Sequence, residues 1–252
     1  MEKPVISIIS SAIKVQYWME FYTSINNTPD PNTPSYPGAP KYDIPFEFVF
    51  VGNVRPSFAL PENFHFIYSE AKPIQCFEIA CRNAKGDYVM TAMDDLMFSP
   101  GFLPVMYSYM RRMWNDKAII MSRFSDYMEG PPRELLMYFA LDNPLSPVIG
   151  VCTIIKKSVW EELGGYDRRF NDIYADNDLH LRIYQAGGYP FITPTAVVRE
   201  RPHATQEERL VYRGCPDRVL LDSLWRNPDG SMRRTRVDAV QPFSPEEIPI
   251  VR

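Results

Sequence analysis

Five side chains in this sequence have types and positions suited to chemistry: Asp94, Asp95, Asp176, Asp178 and His203. Asp94 and Asp95 close the stretch DYVMTAMDD (87–95), where a run of strand character ends in two carboxylates. Such a pair, where the chain turns toward solvent, makes a hard-oxygen site suited to Mg²⁺ or Mn²⁺ carrying phosphates. It equally suits a turn and the cap of a helix starting near Pro100, since Asp is a preferred turn and cap residue. Asp176 and Asp178 open YADNDLHLRIYQAGG (174–188), directly ahead of an apolar run. A carboxylate there can take the proton of an attacking hydroxyl, or it can sit in a first helical turn facing the positive end of the helix dipole. His203 follows the strand-like run TAVVRE (195–200); a neutral imidazole is a metal ligand, although a lone His is more often structural.

The elements that must carry these residues alternate. VISIIS (5–10) is a continuous apolar β-type run, and AIKVQYWMEFYTSI (12–25) places Val15, Trp18, Met19 and Phe21 on one helix face. FEFVFVG (46–52) and FHFIYS (64–69) read as two more strands. Residues 74–85 read as a helix, preceded by Pro73 and stopped by Gly86, and DYVMTAM (87–93) as the next strand. KSVWEEL is a short helix whose Trp160 reads as a core residue. The five prolines of NTPDPNTPSYPGAPKY (27–42) forbid a regular helix or a central strand, so this stretch reads as a surface excursion. Strand–helix alternation predicts a mostly parallel sheet covered by helices on both faces, with ligands bound at the carboxyl ends of the strands.

Composition narrows the function. A chain of 252 residues, 45% hydrophobic and 23% charged, is globular and can bury a substantial core. No run approaches the roughly 18 apolar residues of a membrane span, and MEKPVISIIS lacks the apolar stretch and cleavage site of a signal peptide. The expectation is a cytoplasmic protein, with peripheral attachment to a membrane left open. Cys76, Cys81, Cys152 and Cys215 have no CxxC spacing, which favours buried thiols over a zinc site or disulfides. A net charge of −4 argues against nucleic acid as a partner, despite the late Arg233, Arg234 and Arg236.

The order AKGDYVMTAMDDLMFSPGFL, GVCTIIKKSVWEELGGYDRRF, ADNDLHLRIYQAGG and TAVVRERPH resembles the GT-A glycosyltransferases of family 2. The resemblance implies a GT-A, Rossmann-like α/β/α sandwich over residues 1–213, followed by an extension over 214–252. It also implies an enzyme of hexosyltransferase type that moves a sugar from a UDP, GDP or dTDP donor to a glycan or other hydroxyl acceptor with inversion. Carried onto this chain, Asp95 is the metal-binding acid of a DXD-like motif, with Mn²⁺ or Mg²⁺ bridging the donor diphosphate. Asp94 contacts the ribose or metal-bound water, and His203 is a further metal ligand. Asp176 is the general base. Asp178 is an N-cap or first-turn residue of LHLRIYQAG with an acceptor contact, and Tyr166 and Asp167 border the sugar pocket. Ser10, Ser11, Asn53 and Arg82 fall where the family holds its nucleotide.

The chain departs from the family pattern at several points. Met93 takes the first acidic position of the metal motif, Ala175 replaces the Glu beside the base, and Gly52, Asn53 and Arg55 stand where acidic residues usually hold the base and ribose. Arg82 and Asn83 lie close to the metal strand. Two other readings stand beside the enzyme: a nucleotide-sugar binding protein without catalysis, suggested by Met93 and Ala175, and a nucleotidyltransferase of related fold. The latter normally carries a Gly-rich basic loop after its first strand, which SSAIKVQYW is not. Gly164 and Gly165 also suit a helix C-cap. VLLDSLW reads as a short helix and NPDGSMRRTR as a turn into a basic extended segment. The Pro-rich PFSPEEIPIVR reads as a plain extension, draped over the body or mobile, rather than an acceptor-side lid.

Overall fold

The computed structural model describes residues 2–26, 44–126, 133–135, 152–201 and 216–251. The chain forms β1 (Ile6–Ser11), a 3-10 turn (Val15–Tyr17), α1 (Trp18–Asn26), β2 (Phe46–Gly52), β3 (Phe64–Tyr68), α2 (Pro73–Asn83) and β4 (Tyr88–Thr91). It continues with β5 (Leu96–Phe98), α3 (Phe102–Arg112), β6 (Ile119–Asp126), β7 (Arg133–Leu135), β8 (Thr153–Lys156), α4 (Lys157–Glu162), α5 (Ala175–Gln185), β9 (Pro190–Glu200) and α6 (Pro216–Trp225). One sheet runs in the order β3-β2-β1-β4-β8-β6-β9-β5, with β7 on β6.

The strands β3, β2, β1 and β4 are parallel, with Ile6 opposite Phe46 on one side and Tyr88 on the other. Strands buried on both faces read as unbroken apolar runs, which is why ISIIS and FEFVFVG show little alternation. The pleat nevertheless sorts them. Ile8, Phe48 and Phe50 face α1 and α3 in an aromatic core with Trp18 and Phe21. Ile9, Val49 and Val51 face α2, α5 and α6. The result is three layers.

The alternation legible in the sequence covers this first half. Beyond β4 the sheet continues with antiparallel β8, then β6, then β9 parallel to β6, then antiparallel β5. TAVVRE is only the second half of β9. The helix expected over 12–25 begins at Trp18, because residues 12–14 are diverted into a loop described below. The proline-rich stretch 27–42, His203 and Cys215 lie outside the described residues, as does the boundary expected at 213/214. Cys76, Cys81 and Cys152 are buried and unpaired by disulfides.

Residues 216–251 pack onto the body. Leu221, Leu224, Trp225 and Phe243 join the core on the α2 face. The segment returns along α2, where Gln75 donates to the Glu247 carbonyl at 2.8 Å and the Val251 amide donates to Asn83 at 2.7 Å. Among the described residues no helix is long and apolar enough to cross a membrane.

Candidate active site

The carboxyl ends of β1, β2 and β4 meet at one edge of the sheet, and close packing there sets the geometry. Ala12 donates to the Val51 carbonyl at 2.8 Å, so the loop leaving β1 folds over the end of β2. A Cβ at Gly52 would lie 1.9 Å from the Ala12 carbonyl oxygen, and only glycine permits this approach. The loop is clamped from the other side by Asp94. Its Oδ2 accepts the amides of Ile13 (2.8 Å) and Lys14 (2.6 Å) and the Trp18 indole N–H (3.0 Å). Burial raises the Asp94 pKa, and these donors oppose the shift. Oδ2 thus already holds the β1 loop in place, which leaves the expected contact with the ribose or metal-bound water to Oδ1.

Asp95 is different. It is 2% exposed, its Oδ2 is paired with the Lys14 ammonium, and its Oδ1 is buried with no hydrogen-bond partner among the described residues. A buried carboxylate oxygen left unsatisfied costs about 1–3 kcal/mol or more, so its persistence at a strand end needs a reason. A hard divalent cation fits that oxygen. Mg²⁺ in particular is commonly held by one or two carboxylates together with substrate phosphates. No cluster of three or more His, Cys, Asp or Glu able to hold a metal by itself occurs among the described residues, so phosphate and water oxygens would complete the coordination sphere. Strand β9 brings the chain to the same place, with the Arg201 amide donating to the Asp95 carbonyl at 3.3 Å, two residues before His203.

Asp176 reaches this edge from the other side of the sheet. The amide of Ile74, at the start of α2, donates to the Asn171 carbonyl at 3.1 Å, and α2 starts beyond the carboxyl end of β3. Helix α5 then runs away from this edge to β9, whose first residue, Pro190, pairs with Ile119 at the start of β6. Asp176 therefore sits in the first turn of α5 on the same edge as Asp94 and Asp95. Tyr174, just before the helix, has φ 64° and is the non-glycine residue with positive φ among those described. Such strain costs of order 1–3 kcal/mol and gathers at functional sites. One Asp176 oxygen accepts the Asn177 amide at 2.9 Å, and no side chain among the described residues donates to the carboxylate. Burial raises its pKa to about 6. A half-buried carboxylate with a free oxygen and that pKa is suited to accept a proton near neutrality.

Asp178 sits in the first turn of α5, as expected, but its acceptor contact is corrected. Its side chain is 0% exposed; Oδ2 accepts Arg182 at 2.8 Å, and Oδ1 accepts both Trp225 and Arg236 at 2.8 Å, leaving nothing for an acceptor. Neither is it an N-cap, since α5 starts at Ala175. Arg236, seen in the sequence as part of a basic patch, is turned inward with its side chain 3% exposed. Its guanidinium also meets Asp167 at 2.5 Å. Burial alone would raise the Asp167 pKa, but Arg169, Arg236 and the Gln241 amide hold it at about 2. Stability from this carboxylate is present above the ordinary carboxylate pKa and is lost as pH falls toward 2.

Arg236 thus neutralises two buried carboxylates carried by the GGYD loop and α5. Arg236→Met should cost about 3–5 kcal/mol, the usual consequence of breaking a buried ion pair on one side. Urea unfolding measures this, and a loss under about 1 kcal/mol would contradict the assignment.

Tyr166 is also displaced from its expected role at the acceptor. It is 3% exposed, packed on Trp160 at 4.5 Å and Phe77 at 5.8 Å, with its phenol pKa pushed up by burial and by the nearby Asp176 charge. Gly165 (φ 64°) is required here: a Cβ would lie 2.5 Å from the Glu78 carboxylate, which accepts the Tyr166 amide at 2.6 Å. The buried Trp160 is a core residue, as its sequence context indicates.

Of the expected nucleotide contacts, Ser11 and Asn53 stand at the carboxyl ends of β1 and β2, half-buried and exposed respectively. Ser10 is 0% exposed and its hydroxyl donates to the Ser11 carbonyl at 3.1 Å, so it does not face an open site. Arg82 is corrected. It is exposed in the last turn of α2, before β4 begins, and a crossover helix runs antiparallel to its strands, so Arg82 lies at the opposite edge of the sheet. Lys14 was missed in the sequence. A lysine a few residues past a strand carries no motif, and its pairing with Asp95 spans 81 positions.

The architecture is that of the GT-A glycosyltransferases. Three solved structures of that fold superpose on the chain: Staphylococcus aureus TarS residues 1–349 (TM-score 0.54, 14% identity, 77% of this chain and 60% of that one), GalNAc-T7 with UDP, GalNAc and Mn²⁺ (0.58, 14%, 87% and 48%), and the mannosyltransferase PcManGT from Pyrobaculum calidifontis with GDP-Man and Mn²⁺ (0.56, 14%, 84% and 61%). The chain thus spans between 48% and 61% of these proteins. No family model and no curated protein matches the sequence.

Proposed function

We propose that this protein is an inverting glycosyltransferase that uses a nucleoside-diphosphate sugar and a divalent cation, with Asp176 as general base. The observation that carries the reading is the presence, on one edge of a GT-A sheet, of two carboxylates that each have an oxygen without a hydrogen-bond partner among the described residues, Asp95 and Asp176. Mn²⁺ or Mg²⁺, when bound, neutralises charge developing on the leaving diphosphate. Asp95 would hold that cation through Oδ1, and His203 would be the further ligand. Ser11 and Asn53 border the nucleotide. Asp176 removes the acceptor hydroxyl's proton as its oxygen attacks the anomeric carbon from the side opposite the diphosphate, which inverts the configuration. UDP-GlcNAc bound to TarS and GDP-Man bound to PcManGT support a nucleotide sugar as donor.

A second reading, a nucleotide-sugar binding protein without turnover, is favoured by Met93 and Ala175 at two positions where the family is acidic. Melting the protein with UDP, GDP, dTDP and CMP sugars, each with Mn²⁺ and with EDTA, tests the donor site common to both. At least one UDP, GDP or dTDP donor should raise the melting temperature, and more so with Mn²⁺. No shift with any of them would remove both readings.

A further inference from the structure

The strongest feature that the proposed reaction does not use is the Lys14–Asp95 ion pair. We propose that Lys14 is a built-in cation of the donor site: it neutralises Asp95 while the site is empty and turns to the donor's diphosphate when the donor binds. The inference rests on the nucleotide-sugar reading and deepens it.

Three observations carry it. The first is position. The chain leaves β1 for β2 and β3 on one side and reaches β4 on the other, so the crevice between the carboxyl ends of β1 and β4 is the switch point at which open α/β sheets bind ligands. Lys14 follows β1 and Asp95 follows β4, so the pair spans that crevice.

The second is anchoring. The Lys14 amide is fixed to Asp94 at 2.6 Å, which pins its backbone at the site, whereas its side chain is 34% exposed. A flexible four-carbon stem on a fixed backbone lets the ammonium swing while its origin stays put.

The third is charge. Asp94, Asp95 and Glu200 all act on Lys14, so the crevice repels a diphosphate unless cations offset them. Met93, just ahead of Asp94 and Asp95 in the sequence, adds neither charge nor a hard-oxygen ligand. Lys14 and a divalent cation therefore draw on the same Asp95 carboxylate, and an ammonium is an established point-charge partner for phosphate.

The test compares the parent protein with Lys14→Met and Lys14→Arg. UDP and GDP are titrated calorimetrically in EDTA and in Mn²⁺, and Mn²⁺ alone is titrated by its electron paramagnetic resonance signal. In EDTA, Lys14→Met should bind the better diphosphate about 10- to 100-fold more weakly than the parent, the range of one charge-assisted hydrogen bond. Lys14→Arg, which keeps the charge, should stay close to the parent. Mn²⁺ alone should bind more tightly to Lys14→Met, because Asp95 then has no competing cation. Lys14→Gln carries the same comparison if Lys14→Met does not melt cooperatively. Diphosphate affinity in EDTA equal in the parent and the uncharged variants would overturn the role of Lys14 and leave the donor site standing. A parent protein that binds neither UDP nor GDP under any condition would overturn the donor site, and this inference with it.

Discussion

Asp176→Asn is expected to lower sugar transfer by about 10² to 10⁴, the usual contribution of general acid–base catalysis, while leaving donor affinity nearly unchanged. Asn has the same shape but cannot accept the proton. In the proposed reaction the base faces the acceptor and the diphosphate is held from the β1 and β4 side, so binding and turnover should separate. The pH profile gives a second signature. With the carboxyl raised to about 6, the parent should lose activity as pH falls through about 6, where the base becomes protonated, and the Asn variant should lack that limb. Stability should move the other way. A pKa raised by burial means that folding disfavours the charged carboxylate, so the penalty appears as pH rises above the ordinary Asp value. At pH 7 the neutral variant should melt no earlier than the parent. Steady-state rates over pH 4.5–8 together with melting curves decide this, and full activity in Asp176→Asn would exclude it as the base.

Asp95→Ala is expected to abolish the Mn²⁺-dependent part of UDP or GDP affinity. Loss of even an outer-sphere partner typically costs about 10- to 100-fold in metal affinity, so removal of a direct ligand should cost at least that much. The fold should tolerate the change. One oxygen of the lost carboxylate has no partner among the described residues, and Lys14 is exposed enough to find water. Calorimetric titration of UDP and GDP, with and without Mn²⁺, measures the effect. Equal affinity of the unmodified protein in EDTA and in Mn²⁺ would contradict a metal held by Asp95.

Much of the site's framework was legible locally. FEFVFVG reads as a strand and β2 covers those seven residues; Pro73 and Gly86 bracket α2, which ends at Asn83. The antiparallel half of the sheet was not legible, because Ile119, Ile120 and Met121 are all fully buried, and a strand buried on both faces shows no period to distinguish it from a short buried helix. For the carboxylates the limit is different. Asp94 and Asp95 are adjacent and chemically identical, yet the Oδ2 of one is engaged by Ile13, Lys14 and Trp18, while the other has a buried Oδ1 with no partner among the described residues. Asp176 and Asp178 divide in the same way: Trp225 and Arg236 reach Asp178 across 47 and 58 positions. Spacing names the residues able to act. Only partners brought from far along the chain decide which of them are already engaged.

The central claim is that the Asp95–Asp176 edge transfers a sugar with inversion. The most direct measurement follows, by proton NMR, the anomeric signals of a donor that binds, in the presence of Mn²⁺ and a mixture of hydroxyl acceptors. Release of the nucleoside diphosphate is expected, together with a new glycoside whose anomeric configuration is opposite to that of the donor, and neither should be formed by Asp176→Asn. A product that retains the donor's configuration, or the absence of any transfer or hydrolysis from every donor that binds, would contradict the claim.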